Sequence, residues 1–261
     1  MKRTRIQALP FSVPAELARL IGSADLYDSS CSPEARVVFI DRDGGYYLKS
    51  APLGTLAKEA EMTAYFHKKG LGVAVLYYGQ YETDLLLSAA ARGEDCTHAR
   101  YLAEPVRLCD TLAERLRTLH ELDARDCPVQ DRMTDYLALA HTNFCTGNYD
   151  KTQFPDSFGY RSAADAMAVL RNGQSALKNE VLLHGDYCLP NILLDDWRFS
   201  AFIDLGNGGV GDRHVDLFWG TWTLWFNLKT NCYQDRFLDA YGRDVIDEEL
   251  LRVVAAAEVF G

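Results

Sequence analysis

Leu183-His184-Gly185-Asp186-Tyr187-Cys188-Leu189-Pro190-Asn191-Ile192-Leu193-Leu194, followed by Phe202-Ile203-Asp204-Leu205-Gly206, decides how this chain is to be read. A His-x-Asp is followed five residues on by an Asn, and an apolar run then ends in Asp-x-Gly thirteen residues after that Asn. Ile192 to Leu194 and Phe202 to Ile203 read as two short strands that hold the polar loops. Asp186 could accept the proton of an attacking hydroxyl. Asn191 and Asp204 offer the hard oxygen ligands that Mg²⁺ prefers. Such groups suit phosphoryl transfer, which asks for positioned phosphates, a bound metal ion and an aligned nucleophile. The triplet alone is a weak signal; its weight comes from the spacing to Asn191 and Asp204. The competing reading is a hairpin whose polar residues merely cap turns.

The 261 residues suit one large domain or two small lobes. Hydrophobic residues make up 48% and charged residues 25%, which is ordinary for a soluble globular chain with an ample core. A formal net charge of -10 argues against nucleic acid or an anionic membrane as partner, since both require basic patches. It is compatible with a cationic substrate. The 7 cysteines are odd in number and show no Cys-x-x-Cys spacing, so neither a disulfide framework nor a zinc site is indicated. Cys188 lies inside the decisive stretch, where oxidation would matter, although a packing role is the simpler account. Met1-Lys2-Arg3-Thr4-Arg5 is not followed by the apolar run of a signal peptide. No stretch approaches a membrane span. A cytoplasmic location is expected.

The N-terminal third is strand-rich. Val37–Ile40 and Tyr46–Lys49 flank Asp41-Arg42-Asp43-Gly44-Gly45, a hairpin signal. Leu56 to Lys69 predicts a helix ended by Gly70. Val73 to Tyr78 and Asp84 to Leu87 predict two further strands, and a short hinge falls near Ser88–Gly93. Beyond it the chain is mainly helical. Leu108, Leu112, Leu116 and Leu119 recur on one face of a helix. Further helices are predicted around Arg132–Ala140, Ser162–Arg171, Asp216–Leu228, Tyr233–Ala240 and Asp247–Phe260, with Asn143–Arg161 loop-like. The expected fold is α+β and bilobal: residues 1–90 form a small β-rich N-lobe that binds nucleotide, and residues 91–261 a larger helical C-lobe. The C-lobe would carry the catalytic loop, the metal site and the substrate region. Lys49 ends a strand, and the next helix carries Glu59 and Glu61, as where a strand lysine contacts phosphates under a helix glutamate. Taken alone, Lys49 is one lysine among many. Glu59 is preferred because its register turns Met62, Tyr65 and Phe66 inward. Ser32-Pro33-Glu34-Ala35 sits where a phosphate-covering loop would lie but lacks Gly-x-Gly; its backbone N–H groups could still meet a phosphate.

These residues together resemble one family, the aminoglycoside 3'-phosphotransferases, whose fold is that of the eukaryotic protein kinases. The likeness lies in His184-Gly185-Asp186-x-Cys188-Leu189-Pro190-Asn191-Ile192 and in Phe202-Ile203-Asp204-Leu205-Gly206-x-Gly208-Gly209-Val210-Gly211-Asp212-Arg213. It extends to Leu119-His120-x-Leu122-Asp123, Asp126-Cys127-Pro128, Ser32-Pro33 and Tyr47-Leu48-Lys49, and so runs from about Ser32 to Phe260. The resemblance implies a role for each residue. Asp186 would be the base that aligns the antibiotic's 3'-hydroxyl, and Asn191 and Asp204 would hold Mg²⁺ on ATP, with GTP as a possible substitute. Lys49 would bind the α/β-phosphates, oriented by Glu59, and Ser32 would lie over them. Ser88 to Ala90 would form the adenine-binding hinge. His184 would support the loop, and Asp216 would buttress it. The cationic aminoglycoside would meet Asp150, Asp156, Glu258 and Phe260. Asp150 and Asp156 read equally well as solvated loop residues. The partner would be this small molecule, with no nucleic acid and no membrane, and the protein a monomer or homodimer.

Departures from the family pattern cluster on the antibiotic side. Asn207 replaces the usual Arg after Asp-x-Gly. Ala257-Glu258-Val259-Phe260 lacks one acid of the usual C-terminal Asp-Glu-x-Phe, and an expected acidic pair falls near Phe226 and Asn227. A kinase of the same fold acting on another hydroxylated small molecule (choline, homoserine, methylthioribose or a macrolide) therefore stays open. A non-catalytic binding protein would be expected to lack one of Lys49, Asp186, Asn191 or Asp204, and all are present.

Overall fold

The computed structural model describes residues 3–150 and 159–261, which form two compact units. Met1–His98 with Pro190–Gly206 make the first, and Ala99–Leu189 with Asn207–Gly261 make the second. The architecture is α+β.

The first unit is built on a six-stranded antiparallel sheet of order β1-β2-β3-β4-β6-β5. Its strands are β1 (Thr4–Ile6), β2 (Asp25–Asp28), β3 (Arg36–Asp41), β4 (Tyr46–Ala51), β5 (Val75–Gln80) and β6 (Asp84–Ala89). Leu85, Leu86 and Leu87 read as a continuous apolar run because both faces of β6 are covered. Leu85 and Leu87 pack with Val38, Ile40 and Leu48 under α1 (Ala15–Ile21), whereas Leu86 faces Leu56 and Ala60 at α2 (Ala57–Lys68). The β3–β4 hairpin pairs Ile40 with Tyr46, and Asp43, Gly44 and Gly45 turn with positive φ, as the turn chemistry of that stretch predicts. The expected hinge begins later than Ser88. Ser88 and Ala89 continue β6 because Tyr47 and Tyr46 of β4 provide their backbone partners. The remaining strands, β7 (Glu94–Asp95), β9 (Ile192–Asp195) and β10 (Arg198–Phe202), form a small antiparallel sheet of order β10-β9-β7. Asp196 and Trp197, both with positive φ, close the β9–β10 hairpin.

In the second unit, α4 (Pro105–His120) buries Leu108, Leu112, Leu116 and Leu119, the face that the spacing predicts. α3 (Ala99–Leu102) precedes it. α5 (Arg132–Thr146) starts at the Asp131 cap and runs past Ala140 into the stretch that reads as a loop. Buried Asn143 explains the extension: its amide donates to the Phe260 carbonyl at 2.7 Å, a tie no local pattern records. α6 (Ala163–Gly173), α7 (His214–Leu228), α8 (Gln234–Tyr241) and α9 (Glu248–Glu258) complete the helices, and β8 (Val181–Leu183) pairs antiparallel with β11 (Gly209–Gly211). Met133, Met167, Leu183, Val254 and Phe260 share the core of α5, α6, β8 and α9. Among the described residues no helix is long and apolar enough to cross a membrane. None of the 7 cysteines is bridged.

Gly93, at φ +81, leads into β7 so close to β9 that an added Cβ would enter the Leu194 carbonyl. Both the backbone angle and the contact resist a side chain. Gly93→Ala is expected to cost roughly 3 kcal/mol or more in denaturant unfolding; an unchanged midpoint would refute this close approach.

Candidate active site

Lys49 stands in β4 with its Nζ 2.9 and 2.8 Å from the two carboxylate oxygens of Glu59 and 3.1 Å from Oδ1 of Asp204. Burial pushes the Lys49 pKa down, but Asp204 and Glu59 outweigh it, so the ammonium titrates above its ordinary value. Burial raises Glu59, and Asp204 raises it further against the opposing pull of Lys49. Glu61 points to solvent while Met62, Tyr65 and Phe66 are buried, so the register of α2 selects Glu59 as the lysine's partner. The result is one cation held between two acids, and an anionic phosphate would gain that cation's charge.

Asp204 follows β10 with φ +56, and Ile203 N–H donates to the Asn191 carbonyl at 3.1 Å, which ties the two oxygen-bearing turns together. Asn191 is buried at the entry to β9. An amide oxygen and a carboxylate form a hard donor set of the kind Mg²⁺ takes, with phosphates and waters completing its shell. No cluster of three His, Cys, Asp or Glu with metal-binding geometry occurs among the described residues.

Ser32 is exposed in the β2–β3 connection. Behind it, Ser29 N–H donates to Val37 O at 2.8 Å and Ser30 Oγ accepts from Val37 N–H at 2.9 Å, which closes the base of that loop. Ser88 lies in β6 opposite Tyr47, and Ala90 N–H donates to the Gly45 carbonyl at 2.9 Å. A ligand that reads the Ala90 N–H must displace that bond.

The loop after β8 is fixed by Asp216 near the start of α7. Its carboxylate accepts from His184 N–H and Gly185 N–H, both at 2.8 Å, and bonds His120 Nε2 at 3.2 Å. His120 Nδ1 in turn meets the Tyr241 hydroxyl at 2.8 Å. His120, Asp216 and Tyr241 are all buried. Gly185 turns at φ +84, where a Cβ would enter the Asn207 carbonyl. Asp186 N–H reaches His184 Nδ1 at 3.3 Å, which makes that ring nitrogen the acceptor. Beyond Asp186, Cys188 N–H donates to Asp186 O at 2.8 Å and Leu189 N–H to Thr223 Oγ1 at 3.1 Å. Tyr187, wholly buried, donates to Leu112 O at 2.8 Å. The backbone around Asp186 is thus pinned from both sides while its carboxyl stays partly exposed. Burial, reinforced by Asp186, pushes the Cys188 thiol well up and keeps it protonated. His120 and Thr223 have no role in the sequence reading. His120 stands only in the Leu119-His120-x-Leu122-Asp123 resemblance, which gives it no role, and as a polar residue on the leucine face of α4.

Glu258 is buried at the end of α9. Tyr136 donates to its Oε1 at 2.8 Å, and the Trp219 ring also bonds it. Burial raises its pKa from 4.5 to about 7; the Asp186 charge adds to the rise, and the bonds from Tyr136 and Trp219 and the Arg132 charge oppose it. Burial and Glu258 likewise push the Tyr136 phenol well up. The Arg132 guanidinium itself donates to Asn207, from Nε to the carbonyl at 2.9 Å and from Nη2 to the side-chain oxygen at 3.2 Å. The ring of Phe260 is fully buried, edge-on to Phe144 and Tyr149, so it supports the wall rather than offering a face. Asp150 is exposed, and Asp156 lies outside the described residues.

A model of the phosphotransferase enzyme family matches residues 32–254. A probable aminoglycoside 3'-phosphotransferase of Lactococcus lactis subsp. lactis (strain IL1403) is 49% identical across 100% of this chain and 99% of its own length. Among solved structures, an aminoglycoside-3'-phosphotransferase of type VIII superposes with a TM-score of 0.79 at 25% identity, covering 94% of this chain and 97% of that one. An aminoglycoside phosphotransferase of Streptomyces rimosus ATCC10970, in complex with ADP and streptomycin, gives 0.77 at 21% identity over 94% and 95%. Likeness that runs the whole length of the sequence is common descent, and the chain belongs to the phosphotransferase enzyme family, alongside the aminoglycoside 3'-phosphotransferases.

Proposed function

We propose that this protein transfers the γ-phosphoryl group of ATP to the 3'-hydroxyl of an aminoglycoside antibiotic, and so confers resistance. The whole-chain identity to the Lactococcus relative carries this reading. The first unit would bind the nucleotide and the second the antibiotic. The Streptomyces rimosus neighbour, held with ADP and streptomycin, supports that pairing of ligands. A cytoplasmic location, where ATP is at hand, belongs to the same reading.

Phosphoryl transfer leaves little covalent work to the protein, so catalysis is positioning and electrostatics. Lys49 would neutralise charge on the α/β-phosphates, and Glu59 keeps its ammonium aimed. Asn191 and Asp204 would hold Mg²⁺, which screens phosphate charge when bound. Asp186, on its pinned loop, would accept a hydrogen bond from the 3'-hydroxyl and take its proton as the new P–O bond forms. Holding the acceptor still removes orientational entropy from the barrier. A second reading, another hydroxylated substrate, is favoured by one observation: Asn207 is engaged by Arg132 rather than turned toward a ligand.

An ADP-release assay with Mg²⁺-ATP against kanamycin, neomycin, a 3'-deoxy aminoglycoside, choline and a macrolide separates the two. Turnover of kanamycin or neomycin, with none of the 3'-deoxy compound, is the expected result; turnover of choline or the macrolide alone would favour the second reading. Asp186→Asn is expected to lower kcat by about 10²–10⁴-fold while nucleotide affinity holds. Near-full turnover by that variant would remove Asp186 as the base.

Glu258 supplies a pH dependence. With its pKa raised to about 7, it is protonated below that pH and offers an ammonium no charge. KM for kanamycin is therefore expected to fall as pH rises through about 7, and Glu258→Gln should abolish the change. Stability moves the other way. Between 4.5 and about 7 the folded protein keeps a proton that the unfolded chain has released, so this contribution declines across that window and is flat above it. A wild-type KM that is level across the window would detach Glu258 from substrate binding.

A further inference from the structure

α7 carries Phe218, Trp219, Trp222, Trp225 and Phe226, five aromatic residues among nine positions. Core packing does not account for all of them, since Phe226 is 46% exposed. Trp219 meets Trp222 edge-on at 5.3 Å, and Trp222 stacks on Phe226 at 4.9 Å with the planes 10° apart. The inner end of this ladder adjoins the catalytic loop. Trp219 bonds Glu258, whose carboxyl lies in the field of Asp186, and Thr223 on the same helix accepts from Leu189 N–H. At the outer end an ammonium is already seated: Lys229 Nζ lies 4.2 Å from the centre of the Phe226 ring.

From His214 to Tyr233 the only carboxylate is Asp216, which is fully buried and bonded to the catalytic loop. The helix that leads away from the base therefore has no acid to give a cationic ligand. It has π faces, which attract ammonium groups and pack on the apolar C–H faces of sugar rings. The indole N–H of Trp222 is withdrawn from solvent with no acceptor among the described residues, so packing holds that ring and a hydrogen bond does not.

We propose that Trp222 and Phe226 form a stacking platform for an amino-sugar ring of the substrate, one removed from the ring whose hydroxyl reacts. An ammonium of that ring takes the seat over Phe226 that Lys229 occupies. This rests on the aminoglycoside reading above and specifies how the cation is recognised: by aromatic faces where the family resemblance implies acids.

The test measures steady-state kinetics with kanamycin and Mg²⁺-ATP for the wild type, Phe226→Ala, Trp222→Leu and Lys229→Gln. It adds tryptophan emission titrated with kanamycin alone. Phe226→Ala, which removes a half-exposed ring, is expected to raise KM for kanamycin about two- to thirtyfold with little change in kcat or in KM for ATP. Lys229→Gln should shift KM the opposite way, because it empties the seat and removes a like charge. Wild-type emission should change on binding. If the wild type phosphorylates kanamycin but both aromatic variants keep its KM, the platform is wrong and the enzymatic reading stands. If no aminoglycoside is turned over, that reading falls and the platform with it.

Discussion

The buried carboxylate of Asp216 is the constraint on which the catalytic loop depends. A charge with no exposure to water is tolerated only when donors surround it. Asp216 meets this with two successive backbone N–H groups, from His184 and Gly185, and with the imidazole of His120. Two adjacent N–H groups can point at one carboxylate only where the chain turns sharply, and Gly185 makes that turn at φ +84 beneath the Asn207 carbonyl. Asp186 is the next residue. Its position is therefore a by-product of satisfying a charge that never meets the substrate. Tyr241, Arg117 and Arg213 extend the same network: Tyr241 bonds His120, accepts from Arg117 through its carbonyl at 2.8 Å, and meets Arg213 through its hydroxyl at 3.3 Å. Loss of any buried member would leave an unpaired polar group inside the unit, a larger cost than the bond itself.

Acids are treated differently in the two units. In the first, Glu59 and Asp204 share Lys49, and each acid holds the cation for the other. In the second, Glu258 lies in the field of Asp186, and the guanidinium that opposes this, that of Arg132, donates its hydrogen bonds to Asn207. Burial and Asp186 prevail there, and the Glu258 carboxyl titrates near neutrality. The first site thus holds one ammonium for two acids, and the second has less counter-charge still. A phosphate would suit the first once a metal ion adds its charge, and a cationic ligand would suit the second, which is the pairing that an ATP-dependent aminoglycoside kinase requires.

Local pattern made much of this visible in advance. The Asp41–Gly45 turn, the leucine face of α4 and the register that chooses Glu59 over Glu61 are all fixed by residues within a few positions of one another. Other features depend on distant partners. α5 runs to Thr146 because Asn143 reaches Phe260, over a hundred positions away. Ser88 and Ala89 are strand because β4 lies beside them. β1, β2 and α1 are too short for periodicity to register. The role of His120 was hidden for the same reason: an isolated histidine on an apolar face looks alike whether it packs or bonds, and Asp216 is 96 residues on. The aromatic run in α7 carried the opposite ambiguity, since spacing of three and four residues is also the mark of a buried face. Exposure and ring geometry separate the two possibilities, and both belong to the folded molecule.

A stacking platform at Phe226 would make acids near it dispensable. A carboxylate attracts every cation and is weakened by salt, whereas a stacked ring selects for a flat apolar face with an ammonium beside it. Amino sugars offer both surfaces in one ring. Attraction through π faces also leaves the field around Asp186 undisturbed. An added carboxylate on α7 would extend a negative field toward it. Aromatic side chains hold a cation without that penalty, and in this fold they extend outward from the base along a helix whose one carboxylate already serves the loop.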